Sequence, residues 1–159
     1  MKQLDNYIQE KLKLNNEYKE PKYSCQPKDK KELIEILKER LSKNVHADLN
    51  DIDVSQIKYM NLLFNHKWNP CNIKIDQWDM SNVEDTRGMF YKCRNFNCDL
   101  SNWDVSNIKL MGDMFIGCSR FKGEGLEKWN PKNCNDMTDI FKDCVYMDVH
   151  KNIPSWYKK

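Results

Sequence analysis

The residues in this chain with the most chemical potential recur at fixed intervals. Cys93, Cys118 and Cys144 are spaced 25 and 26 apart, and Asp53, Asp79 and Asp104 are spaced 26 and 25 apart. Stacked thiols could form a redox or metal site. A metal needs converging ligands, and His46, His66 and His150 fall out of step with the thiols. Thiols that follow an apolar pattern are expected to fill the core. Stacked carboxylates repel one another, and a Ca²⁺ ion would relieve that repulsion. The simpler expectation is that each Asp accepts a hydrogen bond from the backbone N–H two residues on, forming a local turn.

The remaining constellations of catalysis do not assemble. Carboxylates recur with the period, whereas catalytic groups should break it. Five Gly in all leave no Gly-rich phosphate loop, and no nucleophile elbow is present. No enzyme and no cofactor is expected. The seven Cys include no CxxC pair, and their odd number does not suit a disulfide scaffold, so free thiols are expected.

The period itself is the main signal. Ile75-Asp76-Gln77-Trp78-Asp79-Met80-Ser81-Asn82-Val83 returns as Leu100-Ser101-Asn102-Trp103-Asp104-Val105-Ser106-Asn107-Ile108. Phe64, Phe90, Phe115 and Phe141 are 26, 25 and 26 apart, and Trp78, Trp103 and Trp129 are 25 and 26 apart. Leu49 to Ser55 opens a degenerate first copy with Ile52 in the Trp place, and Gly125 to Pro131 opens a last copy without the Asp and Ser. A spacing of this size suits one coil of a solenoid, in which each coil buries its apolar face against its neighbours. Trp–Asp–Val–Ser is read as a turn. Ile57 to Met60, Val83 to Thr86 and Ile108 to Met111 are read as short strands. Met89, Phe90 and Cys93, at i, i+1 and i+4, are read as one face of a short helix. The expected class is therefore an α/β repeat solenoid of about four coils, with a strand and a helix in each.

These residues resemble the repeats of bacterial BspA-type surface proteins, a leucine-rich-repeat-like family whose pattern runs Leu-Ser-Asn-Trp-Asp-Val-Ser-Asn-Val, then Met-Phe, Cys and Phe. Residues 100–121 match nearly throughout, 75–96 match well, and 49–74 and 125–147 match in part. Thr86 stands where Met is usual, and His66-Lys67-Trp68 stand near the expected Cys of the first copy. The resemblance implies a small curved solenoid with a role in protein recognition.

An α-helical cap is expected over residues 1–48, the repeats over 49–152 and a C-terminal cap over 153–159. Asp29 and Glu32 form a capping-box-like start to a helix at 29–43, with Leu33, Ile34, Ile36, Leu37 and Leu41 on one face. Leu4, Tyr7, Ile8 and Leu12 suggest an earlier helix, and Pro21 and Pro27 bracket the link. Ile153 to Tyr157 is expected to fold over the last coil.

Charge restricts the partners. Residues 1–48 carry eleven Lys/Arg and nine Asp/Glu, and residues 49–159 carry fifteen of each. A neutral repeat region has no basic field for a phosphate backbone. Lys28, Lys30, Lys31, Lys38, Arg40 and Lys43 could touch nucleic acid, but interleaved Glu32, Glu35 and Glu39 favour a solvated helix face, so nucleic acid is the alternative and not the expected partner. No apolar run can span a membrane, and no secretory signal is visible; if Met1 is the native start, a cytoplasmic protein is expected.

A partner is expected to read the residues that vary while the frame repeats. Lys58, Glu84, Lys109 and Asn135 form one row, with Tyr59, Asp85, Leu110 and Asp136 beside it. Tyr59, Glu84, Asp85, Arg87, Lys109, Leu110 and Asp113 are the candidate partner-binding residues. The expected function is a non-enzymatic module that occupies another protein's surface as an inhibitor or adaptor, for example a phage or mobile-element protein opposing a host defence enzyme. A surface adhesin is the alternative that the resemblance suggests.

Overall fold

A computed structural model describes residues 22–64, 68, 70 and 72–158. The earlier helix expected around Leu4 to Leu12, together with His66, Lys67 and Cys71, lies outside the described residues.

Helix α1, Lys30–Lys43, begins where expected. The Asp29 carboxylate accepts the Glu32 N–H at 2.9 Å, and Glu32 accepts the Lys28 N–H at 3.1 Å. Leu33, Leu37 and Leu41 are buried in the same core as the repeats. Arg40 ties the outer face to Asp51 at 2.9 Å.

The repeats depart from the expected class. Among the described residues there is no strand, and the helices other than α1 are a single 3-10 turn, Leu126–Lys128, and the short α2, Val145–His150. The chain is therefore not an α/β repeat solenoid with a strand and a helix per coil, and the leucine-rich-repeat description does not apply to it. Where strands were expected, the copies meet at single parallel bridges, Tyr59 to Asp85, Asp85 to Leu110 and Leu110 to Asp136.

The helix expected at Met89 to Cys93 is prevented by two left-handed residues, Gly88 at φ +59° and Lys92 at φ +57°. Equivalent positions repeat the feature. Leu62, Asp113 and Asp139 match Gly88, and Gly117 and Asp143 match Lys92. Backbone bonding explains why this conformation holds. Met89, Tyr91 and Cys93 donate three residues back, to Thr86, Gly88 and Phe90. The N–H groups between them, on Gly88, Phe90 and Lys92, donate to Gly112, Met114 and Ile116 of the next copy at 3.0, 2.9 and 2.7 Å. Alternate donors thus close the turn and join the stack. A helix would withdraw every donor from the neighbouring copy.

Side-chain ladders fill the space between these turns. Phe64, Phe90, Phe115 and Phe141 stack nearly parallel with ring centroids 5.4, 5.5 and 5.7 Å apart. Phe96 and Phe121 form a second file against Phe90 and Phe115 at 4.0 and 4.5 Å. Each Trp sends its indole N–H to the backbone carbonyl of the preceding copy: Trp78 to Leu49, Trp103 to Ile75 and Trp129 to Leu100, at 2.8–2.9 Å. Trp156 does the same to Leu126 at 2.7 Å and stacks on Trp129 at 6.1 Å. Ile153 to Trp156 thus continues the ladder. At the other end, Ser24 and Cys25 pair with Asp51 to Asp53, 27 residues later, so the backbone stack already begins ahead of α1.

The departures from the repeat are accommodated locally. Thr86 is fully buried, and its hydroxyl donates to the Leu110 carbonyl at 3.3 Å. In the first copy Trp68 packs edge-on to Phe64 at 6.2 Å. Gly125, at φ +85°, lets the backbone of Ser101 approach to where a Cβ would lie only 2.3 Å from the Ser101 nitrogen.

Candidate functional site

The periodic chemistry belongs to the frame. Asp53, Asp79 and Asp104 accept the N–H groups of Ser55, Ser81 and Ser106 at 3.0, 3.0 and 2.9 Å, the turn that the sequence predicts. The Ser106 N–H holds the Asp104 carboxyl below its ordinary range. Asn82, Asn107 and Asn133 then bond to the carbonyls of Ser55, Ser81 and Ser106 in the preceding copy.

The thiols of Cys93, Cys118 and Cys144 are free and buried. Each donates to a Phe carbonyl one copy back, Cys93 to Phe64, Cys118 to Phe90 at 3.1 Å and Cys144 to Phe115 at 3.0 Å. Burial pushes the Cys93 and Cys144 thiols up to about 12 and Cys118 well above its ordinary value. Such thiols are poor nucleophiles at neutral pH, because the thiolate is the reactive form.

The seven candidate partner-binding residues lie along the bridge line and the turns that follow it. Tyr59, Asp85 and Leu110 occupy successive positions of the bridge line. Glu84 lies between two lysines, with Lys109 at 2.7 Å and Lys58 at 3.9 Å. The hydrogen bond from Lys109 lowers the Glu84 carboxyl below its usual range. Arg87 and Asp113 line a shallow hollow of about 410 Å³ with Asn61, Leu62, Gly88 and Tyr91.

The face is not uniformly free. Tyr59 is 56% exposed, whereas Asp85 is only 6% exposed. Arg87 grips the Asp85 carboxylate through Nε at 3.1 and 3.2 Å and Nη2 at 2.7 Å, and the Arg87 N–H also donates to it at 2.9 Å. Burial raises the Asp85 carboxyl, but these bonds outweigh it and leave the group ionised below its ordinary range. Asp85 therefore has a frame duty and orients Arg87. Leu110 is half-buried, and Lys109 is exposed.

Sequence reasoning missed Leu62, 52% exposed at the rim of the hollow, and set Tyr91 on an opposite, helical side, whereas the half-buried Tyr91 lines the same hollow as Arg87 and Asp113. The sequence signal for Leu62 is its alignment with Gly88, Asp113 and Asp139, where an apolar side chain is out of place. Its side chain leans over Gly88, where a Cβ would come within 2.7 Å of Leu62 Cδ2. Lys30 of α1 reaches the same edge and donates to the Asn61 carbonyl and to Asn61 Oδ1.

Among the described residues no helix is long and apolar enough to cross a membrane. Neither a curated protein nor a solved structure matches the chain. A family model described as "Mycoplasma protein of unknown function, DUF285" matches residues 32–156, which takes in α1 from its third residue, all the Phe and Trp ladders and the Cys file. The likeness to BspA-type surface repeats holds at the general level of this repeat family. By that match, the chain belongs to the DUF285 repeat family.

Proposed function

We propose that this chain is a non-enzymatic binding module that recognises another protein through the face carrying Tyr59, Glu84, Asp85, Arg87, Lys109, Leu110 and Asp113. One observation carries the reading. The ladders of Phe, Trp, Cys, Asn and Asp explain how the copies stack, and Tyr59 stands beside them with more than half its surface exposed and no ladder to serve. Next to it lies a hollow whose walls are Leu62, Tyr91 and an Arg already oriented by a carboxylate. An exposed aromatic beside a pre-organised Arg is the composition of a binding hot spot. The Lys58–Glu84–Lys109 row supplies a polar rim of alternating sign.

The module acts by occupying its partner's surface, as an inhibitor or an adaptor; opposition of a host defence enzyme by a phage or mobile-element protein would be one such use. Family membership favours a second reading, recognition at a cell surface, which would use the same face. Affinity capture from the source cells, followed by titration of the purified partner, tests the proposal. Tyr59→Ala and Arg87→Ala should each weaken binding by more than about 1 kcal/mol while the circular dichroism spectrum stays unchanged. Parent-like binding by both variants, with loss of binding from changes at Lys128 or Asn130 on the Trp side, would remove this face from the account.

A further inference from the structure

The alternation of backbone donors leads to a second site, distinct from the face above. Thr86, Gly88, Phe90 and Lys92 donate to the next copy, and Met111, Asp113, Phe115 and Gly117 repeat the pattern onto Asp136, Thr138, Ile140 and Lys142 at 2.8–3.0 Å. One copy further on, the same four donors are the N–H groups of Met137, Asp139, Phe141 and Asp143. Among the described residues none of these has an acceptor. The N–H groups of Thr138 and Lys142, by contrast, are bonded within the turn. The last copy thus ends in a row of unpaired donors at every second residue, the arrangement of an open sheet edge.

At the opposite end of this line α1 packs Leu33, Leu37 and Leu41 into the shared core. The Asn61 carbonyl, equivalent to those of Arg87, Gly112 and Thr138, is taken by Lys30 of α1. A second copy stacked head to tail would have to displace Lys30 from this carbonyl.

Beside the open row lies a hollow of about 420 Å³ bounded by Asp139, Phe141, Lys142, Asp143, Asp148 and Tyr157. Lys142 is engaged by Asp139 at 2.9 Å, which leaves the carboxylates of Asp143 and Asp148 above an aromatic floor of Phe141 and Tyr157. Carboxylates repel phosphate and carboxylate ligands, and together with aromatic rings they attract a cationic side chain. A hollow of this size accommodates a lysine or arginine side chain.

We propose that the edge formed by Met137 to Asp143 docks an extended, basic segment of a partner protein, pairing with its backbone carbonyls and taking a Lys or Arg side chain between Asp143, Asp148 and Tyr157. Main-chain pairing supplies attachment, and the acidic hollow supplies selection.

The test uses the ¹⁵N-labelled full chain and two pools of capped nonapeptides. One pool has Lys or Arg at every second position, the other has Asp or Glu there, and the remaining positions are randomised over uncharged residues. With the basic pool, amide exchange at Met137, Asp139, Phe141 and Asp143 should slow about tenfold or more, while Thr138 and Lys142 change little. The acidic pool should leave all six alike. The D143K/D148K variant should respond to the basic pool about tenfold more weakly, and Tyr59→Ala should respond like the parent. No protection by the basic pool, equal protection by the acidic pool, an unchanged response in D143K/D148K, or loss of the response in Tyr59→Ala would each overturn the assignment. Because Tyr59→Ala keeps this response, failure of the Tyr59 face and failure of the edge are told apart.

Discussion

Alkaline pH should destabilise this protein through its buried thiols, by an amount that follows from their environment. Cys93 and Cys144 are held neutral by burial up to about 12, and Cys118, between them in the file, is raised well above its ordinary value of 9.0. In the unfolded chain each returns to the ordinary value. The folded pKa is the higher one, so the contribution to stability is complete below pH 9 and is lost as pH rises from 9 towards 12. Between pH 7 and 10 an unfolded thiol gains about 1.4 kcal/mol by ionising, which the folded thiol does not share, so the three together remove about 4 kcal/mol. Urea melts followed by Trp fluorescence under reducing conditions measure this at pH 7, 8, 9 and 10. Lysines and tyrosines also titrate in this window, so the diagnostic quantity is the difference in slope between the parent and C93A/C118A/C144A. The cavities in that variant lower stability at every pH alike and cancel in the slope. Parallel pH dependences in the two proteins would show that the thiols are solvated, and the account of the Cys file would fail.

Phe115→Ala removes a ring that stacks on Phe90, Phe121 and Phe141 and should cost about 3–5 kcal/mol in urea unfolding; a cost below about 1 kcal/mol would refute its place in the ladder. Gly125→Ala would force a Cβ against the Ser101 backbone at positive φ and should cost about 2–4 kcal/mol, whereas Gly117→Ala, whose Cβ would meet Lys92 at an ordinary 3.4 Å, should cost less by calorimetry. In acid the sign reverses relative to the thiols. Asp85, Asp104 and Asp136 have lowered folded values, so their stabilisation is present above about pH 4 and disappears as pH falls through those lowered values; Asp104→Asn, which keeps the side-chain acceptor for Ser106, should flatten that part of a thermal melt series.

The sequence made the period, the Phe, Trp and Cys files and the turn at each Trp-Asp-Val-Ser legible, because those features repeat as identical residue types at identical spacing. The conformation between them was not legible. Leu62, Gly88, Asp113 and Asp139 share a left-handed backbone yet only one is Gly, so no residue type marks the position. The spacing of Met89, Phe90 and Cys93 fits a helix as well as it fits two successive turns; what decides between them is the carbonyl waiting one copy away, a partner about 25 residues distant that no local pattern encodes. Trp156 was legible as an aromatic but not as a rung of the ladder, because its copy has lost the Asp and Ser that mark the others. In the candidate face, the exposure of Tyr59 was legible from its lack of a core duty in the repeat, while the frame duty of Asp85 came from Arg87, two residues on, whose long side chain gives no sign of its direction.

Both proposed binding surfaces rest on one claim, that the copies are stacked turns whose alternate N–H groups cross between them. Nuclear Overhauser spectroscopy with amide exchange on the same sample tests it most directly. The account predicts contacts between the rings of Phe64, Phe90 and Phe115, contacts between the backbones of Asp85 and Leu110, and slow exchange at Gly88, Phe90 and Lys92 through their cross-copy bonds. Helical contacts from Met89 to Cys93, with exchange at Gly88 and Lys92 as fast as at an exposed loop, would contradict it.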